Sequence, residues 1–398
     1  MKYHCISADS HLEIRPDRYA KRVPEKFRDR APKVITLEDG TLAVLQEGQP
    51  LERLISNISC GLPYEERRPF DPLPGESYQT SPGTGSPAQR LTEQDKDGVD
   101  AEVLFPGNVG PGFWRGIRND EAYISVVRAY NDWLAEEYCS YSPERLIGVG
   151  VIPITNIDDA VGELTHCKKL GLKTVIIDNF PAGHRYPTPG DDRFWAAAVD
   201  LTMPLTIHVE FGFPRRSRGP QAVAVNAPSF KYPKQTDPEH HVPDVIERFN
   251  KYGFRGSKQV VQLIWGGVFE RFPKLNIYVA EVQIGWVPNW LDQMDNEYGR
   301  QQYWAERVLG LPRLKRMPSE YAKEHVHWGF NRNPIGVRIA RHEIGVDKVM
   351  WASDFPHLES DWPNSRRVLA ENFAGVAEDE IWKMTVGNAV DYFHLDDR

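Results

Sequence analysis

The chain has 398 residues, 40% of them hydrophobic and 26% charged, with a formal net charge of −8. That length fits one large barrel or two ordinary domains. Acids and bases are interspersed rather than blocked, which argues against nucleic acid or an anionic membrane as a partner, and no stretch approaches the ~20 apolar residues of a membrane span.

Cys5, Cys60, Cys139 and Cys167 are scattered without a CxxC pair, and the opening MKYHCISADSH lacks the apolar run of a signal peptide. A reduced, cytoplasmic protein is expected.

In chain order, the first apolar run is CISADSHLE (5–13), where strand alternation places Ser7, Asp9, His11 and Glu13 on one face. Residues 14–90 interrupt the pattern. They contain an expected hairpin, KVITLEDGTLAVLQEG, turning at Asp39-Gly40, and a Pro/Gly/Ser-rich stretch (69–87) that reads as an extended loop or lid. The second run is AEVLFPG (101–107), followed by a helix capped by Asn119. LIGVGVIPI (146–154) precedes a helix opened by Asp158 and Asp159 and ended by Gly171, and TVIIDN (174–179) follows. LTIHVEF (205–211) leads into another long loop, 212–244. NIYVAEV (276–282), HVHWGF (325–330), a helix over 334–345 and VMWASDFP (349–356) complete the series. Apolar runs alternating with helices, eight in number, predict an α/β protein with a (β/α)8 TIM barrel as one domain over 1–398, its long insertion (14–90) following the first strand.

Chemistry-bearing residues gather at the strand ends: Asp9, His11 and Glu13 on the first, His208 and Glu210 on the fifth, Glu281 on the sixth, and Asp354, His357 and Glu359 on the eighth. Ionised carboxylates at such depth cost several kcal/mol unless a cation, proton or base accompanies them. Few Lys or Arg residues lie in these runs, so a divalent metal is the economical counter-charge; imidazole with carboxylate suits Zn, Mn or Fe. Taken singly, each residue reads more plainly. Asp354 would be a helix or turn cap, His11 a core histidine, and Glu13 a solvent-facing strand end. Trp114, Arg115 and Arg118 could line a pocket, with an arginine holding a substrate carboxylate, although rim packing suits Trp114 better. Arg215, Arg216 and Arg218 read as solvated loop charge, and Trp286 and Trp290 as helix packing.

DSHLE, LTIHVEF, WGGVFERFPKLNIYVAEVQIGWVPNWL and VMWASDFPHLESDWPNSR together resemble the amidohydrolase superfamily. The branch is the amidohydrolase 2 group that includes aminocarboxymuconate-semialdehyde decarboxylase, and the resemblance spans residues 5–390. It implies metal ligation by Asp9, His11, His208 and Asp354, with Asp9 standing where the family has a histidine. Where decarboxylases of the branch carry a sixth-strand histidine this chain has Glu281, and the fourth strand offers no internal lysine to bridge two ions.

The resemblance implies a hydrolase or carboxy-lyase acting on a small organic acid, using Zn or Mn, with Asp354 handling a proton and His241, His327 or His357 as donors. If Glu281, His357 and Glu13 hold a second ion, the alternative is a dinuclear Fe or Mn non-haem oxygenase. A catalytically silent partner subunit is the remaining expectation. The assembly expected is a homodimer or a pair with a related subunit.

Overall fold

The computed structural model describes residues 3–37, 42–48, 52–53, 58, 60–67, 81–177, 179–184, 186–208 and 254–396. Eight parallel strands lie side by side in chain order: β1 (Ile6–Leu12), β2 (Ala101–Pro106), β3 (Leu146–Val151), β4 (Thr174–Ile176), β5 (Leu205–Ile207), β6 (Ile277–Val279), β7 (Val326–Phe330) and β8 (Val349–Trp351). Every residue of these strands is buried, as expected where helices cover one face and barrel packing fills the other. The result is the (β/α)8 barrel that the apolar runs predict.

Closure between β1 and β8 runs through their carboxyl ends. Asp354 N–H donates to Asp9 O (3.0 Å), His11 N–H donates to Phe355 O (2.6 Å), and Ser353 N–H donates to the Ser7 hydroxyl (2.9 Å). A bulge in β1 sets what this seam presents. Ser7 pairs with Glu102 but Ser10 pairs with Leu104, so one extra residue is accommodated between them. Strict alternation is thereby broken, and Ser7 Oγ meets Ser10 Oγ at 3.0 Å instead of sharing a face with Asp9.

The insertion between β1 and β2 holds a small antiparallel sheet, with Lys33–Thr36 paired to Leu42–Leu45 and the latter to Glu52–Arg53. The expected Asp39-Gly40 turn lies outside the described residues, as does most of the 69–87 loop. Later parts of the insertion reach the carboxyl-terminal mouth of the barrel, where Ile58 bridges His357 and Arg67 donates to Leu358 O.

Helix boundaries follow local capping. Asn119 accepts from Ala122 N–H at 2.8 Å and starts the helix Asp120–Trp133. The next helix, Ile157–Lys169, begins earlier than Asp158/Asp159 suggest, because Asn156 supplies the cap to Asp159 N–H at 2.9 Å. The helix expected over 334–345 is a π turn, Gly336–Ala340, running into Arg341–Ile344. The four cysteines are buried and unbridged. Replacing Asn119 by Ala removes one capping acceptor and is expected to cost about 1 kcal/mol of stability, read from the denaturant midpoint, with metal binding unchanged.

Candidate metal centre

At the mouth, the β1 bulge and the β8 end bring acids and imidazoles from distant segments together. His11 Nε2 lies 3.4 Å from Asp9 Oδ1 and 3.3 Å from Asp354 Oδ1. His208, just after β5, places Nε2 at 3.6 Å from Asp9 Oδ2 and 3.5 Å from Glu281 Oε2. Such separations are too long for good hydrogen bonds, and they match neighbouring ligands about 2.0–2.2 Å from one shared ion. Both carboxylate oxygens of Asp9 and of Asp354, with Nε2 of His11 and of His208, are buried without a hydrogen bond among the described residues. Orphaned carboxylates with no exposure cannot persist without a counter-charge, and the donor types fit a divalent transition ion.

His11 is oriented by its other nitrogen. Nδ1 sits 3.2 Å from Pro106 O, the geometry of an N–H donor, which leaves Nε2 free to ligate. Asp354 (φ 54°) and Glu281 (φ 57°) both occupy the left-handed region, which non-glycine residues adopt at a cost of about 1–3 kcal/mol. Their strained backbones turn both carboxylates into the mouth.

A second donor group overlaps the first. His11, Asp354 and His357 also converge, with His357 Nδ1 at 3.1 Å from Asp354 Oδ1 and Nε2 at 2.9 Å from Glu13 Oε1. Glu13 also accepts from Asn108 N–H at 3.0 Å, and the His11 and His357 rings stack 3.9 Å apart. Burial pushes the His357 pKa down, but Asp354 and Glu13 outweigh it and lift it well above the ordinary value. Burial alone would raise Asp354; His357 and His11 hold it well below the usual carboxylate range.

Other expected site residues fall elsewhere. His327 is the second residue of β7 and so lies near the base of the barrel, where it lines a cavity of about 590 Å³ with Lys274, Lys348 and Tyr392. Burial and Lys348 push its pKa down to about 3. The expectation that His327 donates a proton at the mouth is therefore corrected. Trp114 is fully buried, donating from Nε1 to Tyr19 Oη at 3.1 Å and packing on Tyr130, so it is a packing residue of the rim and not a pocket wall. Arg115 is buried in the same segment, and Arg118 is exposed. His241 and Glu210 lie outside the described residues. Sequence reasoning passed over Arg90 and Glu102, a buried pair joined at 2.6 Å beneath β1; the signal was an acid inside the apolar run AEVLFP.

Eight parallel strands with a His/carboxylate cluster at their carboxyl ends define a barrel of the metal-dependent enzyme class. The chain belongs to the amidohydrolase family, whose model (Amidohydro_2, amidohydrolase) matches residues 72–395. It is 24% identical over 323 residues to gamma-resorcylate decarboxylase of Rhizobium radiobacter, covering 78% of this chain and 87% of that one. It is also 24% identical over 313 residues to 2-amino-3-carboxymuconate-6-semialdehyde decarboxylase of Dictyostelium discoideum, covering 78% and 77%. Among solved structures, 5-carboxyvanillate decarboxylase of Novosphingobium aromaticivorans, described in complex with manganese and 4-hydroxy-3-methoxy-5-nitrobenzoic acid, shares the fold at TM-score 0.65 and 17% identity, covering 98% and 96%.

Without metal, burial pushes the His208 imidazole down while Asp9, Glu281 and Asp354 more than reverse this, raising its pKa from 6.5 to about 9. The stabilisation from this imidazolium is complete below 6.5 and is lost as pH rises through about 9. Chelator-treated protein is expected to lose melting temperature across that window, and His208→Asn to flatten the loss.

Proposed function

We propose that this chain is a metal-dependent carboxy-lyase that removes CO2 from a small aromatic acid. The observation that carries the reading is the set of orphaned donors on Asp9, His11, His208 and Asp354; the decarboxylase relatives, aligned over most of the chain, support the choice of reaction. A divalent ion, Mn or Zn, held by these four residues would supply Lewis acidity and a fixed point for an anionic substrate. The chain's own groups do the rest. Glu13 orients His357 through Nε2, and in this reading His357 is the imidazole that delivers a proton to the carbon bearing the carboxylate. A ring π pair forms the new C–H bond, and the carbon–carboxylate pair then returns to the ring to restore its aromaticity as CO2 departs. Glu281, whose Oε2 lies 3.5 Å from His208 Nε2, adds negative charge that favours a cation at the centre. Hydrolysis of a carbonyl compound would use the same donors; the relatives favour carboxyl loss. We further propose a single barrel domain with residues 14–90 as its lid, assembled as a cytoplasmic homodimer.

A second reading rests on the overlap of two donor groups. Asp9, Glu13, Glu281 and Asp354 with His11, His208 and His357 amount to four carboxylates and three imidazoles, enough for two ions. Such a set suits Fe or Mn and dioxygen chemistry, the oxygenase alternative.

Elemental analysis of the purified protein divides these readings. About one Mn or Zn per chain, with CO2 released from hydroxybenzoates, supports the carboxy-lyase; two ions including Fe, with oxygen uptake, support the oxygenase; no ion, and none recruited from added salts, supports a silent partner subunit. His208→Ala and Asp354→Asn are expected to abolish both metal content and activity. His357→Asn should keep the metal while lowering kcat by about 10²–10⁴-fold.

A further inference from the structure

Arg90 is the least expected residue beneath the centre. It comes from the helix Pro87–Asp97, it is 1% exposed, and its guanidinium reaches three structures at once. Nε donates to Glu102 Oε2 (2.6 Å), one terminal nitrogen donates to His11 O (2.9 Å), and the other donates to Phe355 O (3.4 Å). The same group sits over the Phe355 ring, 4.5 Å from its centroid. Glu102 is held in turn by Ser10 Oγ (2.9 Å) and Gln94 Nε2 (2.8 Å).

Those two carbonyls are well chosen. His11 supplies one donor to the cluster, and Phe355 follows Asp354, which supplies another from a left-handed backbone. Phe355 O also accepts from His11 N–H, so the first and last strands and the guanidinium meet at a single oxygen. No apolar residue could satisfy this geometry, and a lysine, as a point charge on a flexible stem, could not hold both carbonyls and Glu102 in one plane.

We infer that Arg90 is a positioning residue for the metal centre: it fixes the seam between β1 and β8 so that His11 Nε2 and the Asp354 carboxylate stand at ligating separation. The inference rests on the metal reading above, and it differs from a purely structural role for a buried ion pair. A buried pair is often replaceable by apolar residues without loss of stability, because the cost of desolvating both charges is removed with them. If Arg90 and Glu102 served stability alone, such a replacement would leave metal binding untouched.

The experiment measures Mn affinity by calorimetry on chelator-stripped, full-length protein, with melting temperature recorded in parallel. Wild type serves as reference, and Leu164→Ala, a core truncation in the helix Ile157–Lys169, controls for general destabilisation. The variant R90M/E102L is expected to fold and to bind Mn about 10–100-fold more weakly, the usual effect of losing support behind a ligand. R90K should show a smaller weakening and Leu164→Ala none. R90M/E102L binding Mn with the wild-type Kd overturns the inference; if that variant does not fold, a wild-type Kd in R90K does so. Failure of wild type itself to bind Mn, Zn or Fe overturns the metal reading and this inference with it, an outcome distinct from weakened binding in the Arg90 variants alone.

Discussion

Everything at the mouth of this barrel follows from carboxylates that are buried without a hydrogen bond among the described residues. Asp9 and Asp354 have no exposure, and the His11 and His208 nitrogens stand 3.3–3.6 Å from their oxygens, separations that suit fellow ligands better than hydrogen-bonding partners. Among the described residues, the basic groups that meet them are imidazoles rather than guanidinium or ammonium heads. The field is therefore concentrated, negative and waiting for a cation. Its geometry is held by strained backbone at Asp354 and Glu281, by the Pro106 carbonyl behind His11, and by the buried Arg90–Glu102 pair below. Strain of that kind persists only where the surroundings over-determine it.

Much of the architecture was legible because barrel strands advertise themselves. Strands buried on both faces read as short apolar runs, and each of the eight runs contains a strand of the sheet. Polar residues inside those runs were the natural candidates for chemistry, and Asp9, His11, His208 and Asp354 do converge. His357 was legible as a neighbour of Asp354, but its contact with Glu13 joins two ends of the chain and no spacing rule foretells it.

What escaped the sequence has definite causes. A periodic pattern shows that a residue is in a strand but not how far along it lies, so His327, at the second position of β7, was assigned to the wrong end of the barrel. The bulge in β1 defeats strict alternation and pairs Ser7 with Ser10. Trp114 has the composition of a binding residue and the environment of a core one. Arg90 looked like any helix-surface arginine, because burial under a seam formed by the first and last strands is a property of topology rather than of local sequence.

That seam also governs when the centre can exist. Ser7 and Ser353, whose hydroxyls meet at 3.0 Å, are separated by 346 positions along the chain. A ribosome must therefore deliver nearly the whole polypeptide before the last strand can meet the first. Contacts of such long range slow folding and prolong the life of incompletely assembled states. During synthesis the nascent barrel carries its acidic residues without the partners that gather them, so ion capture belongs to the final stage of maturation.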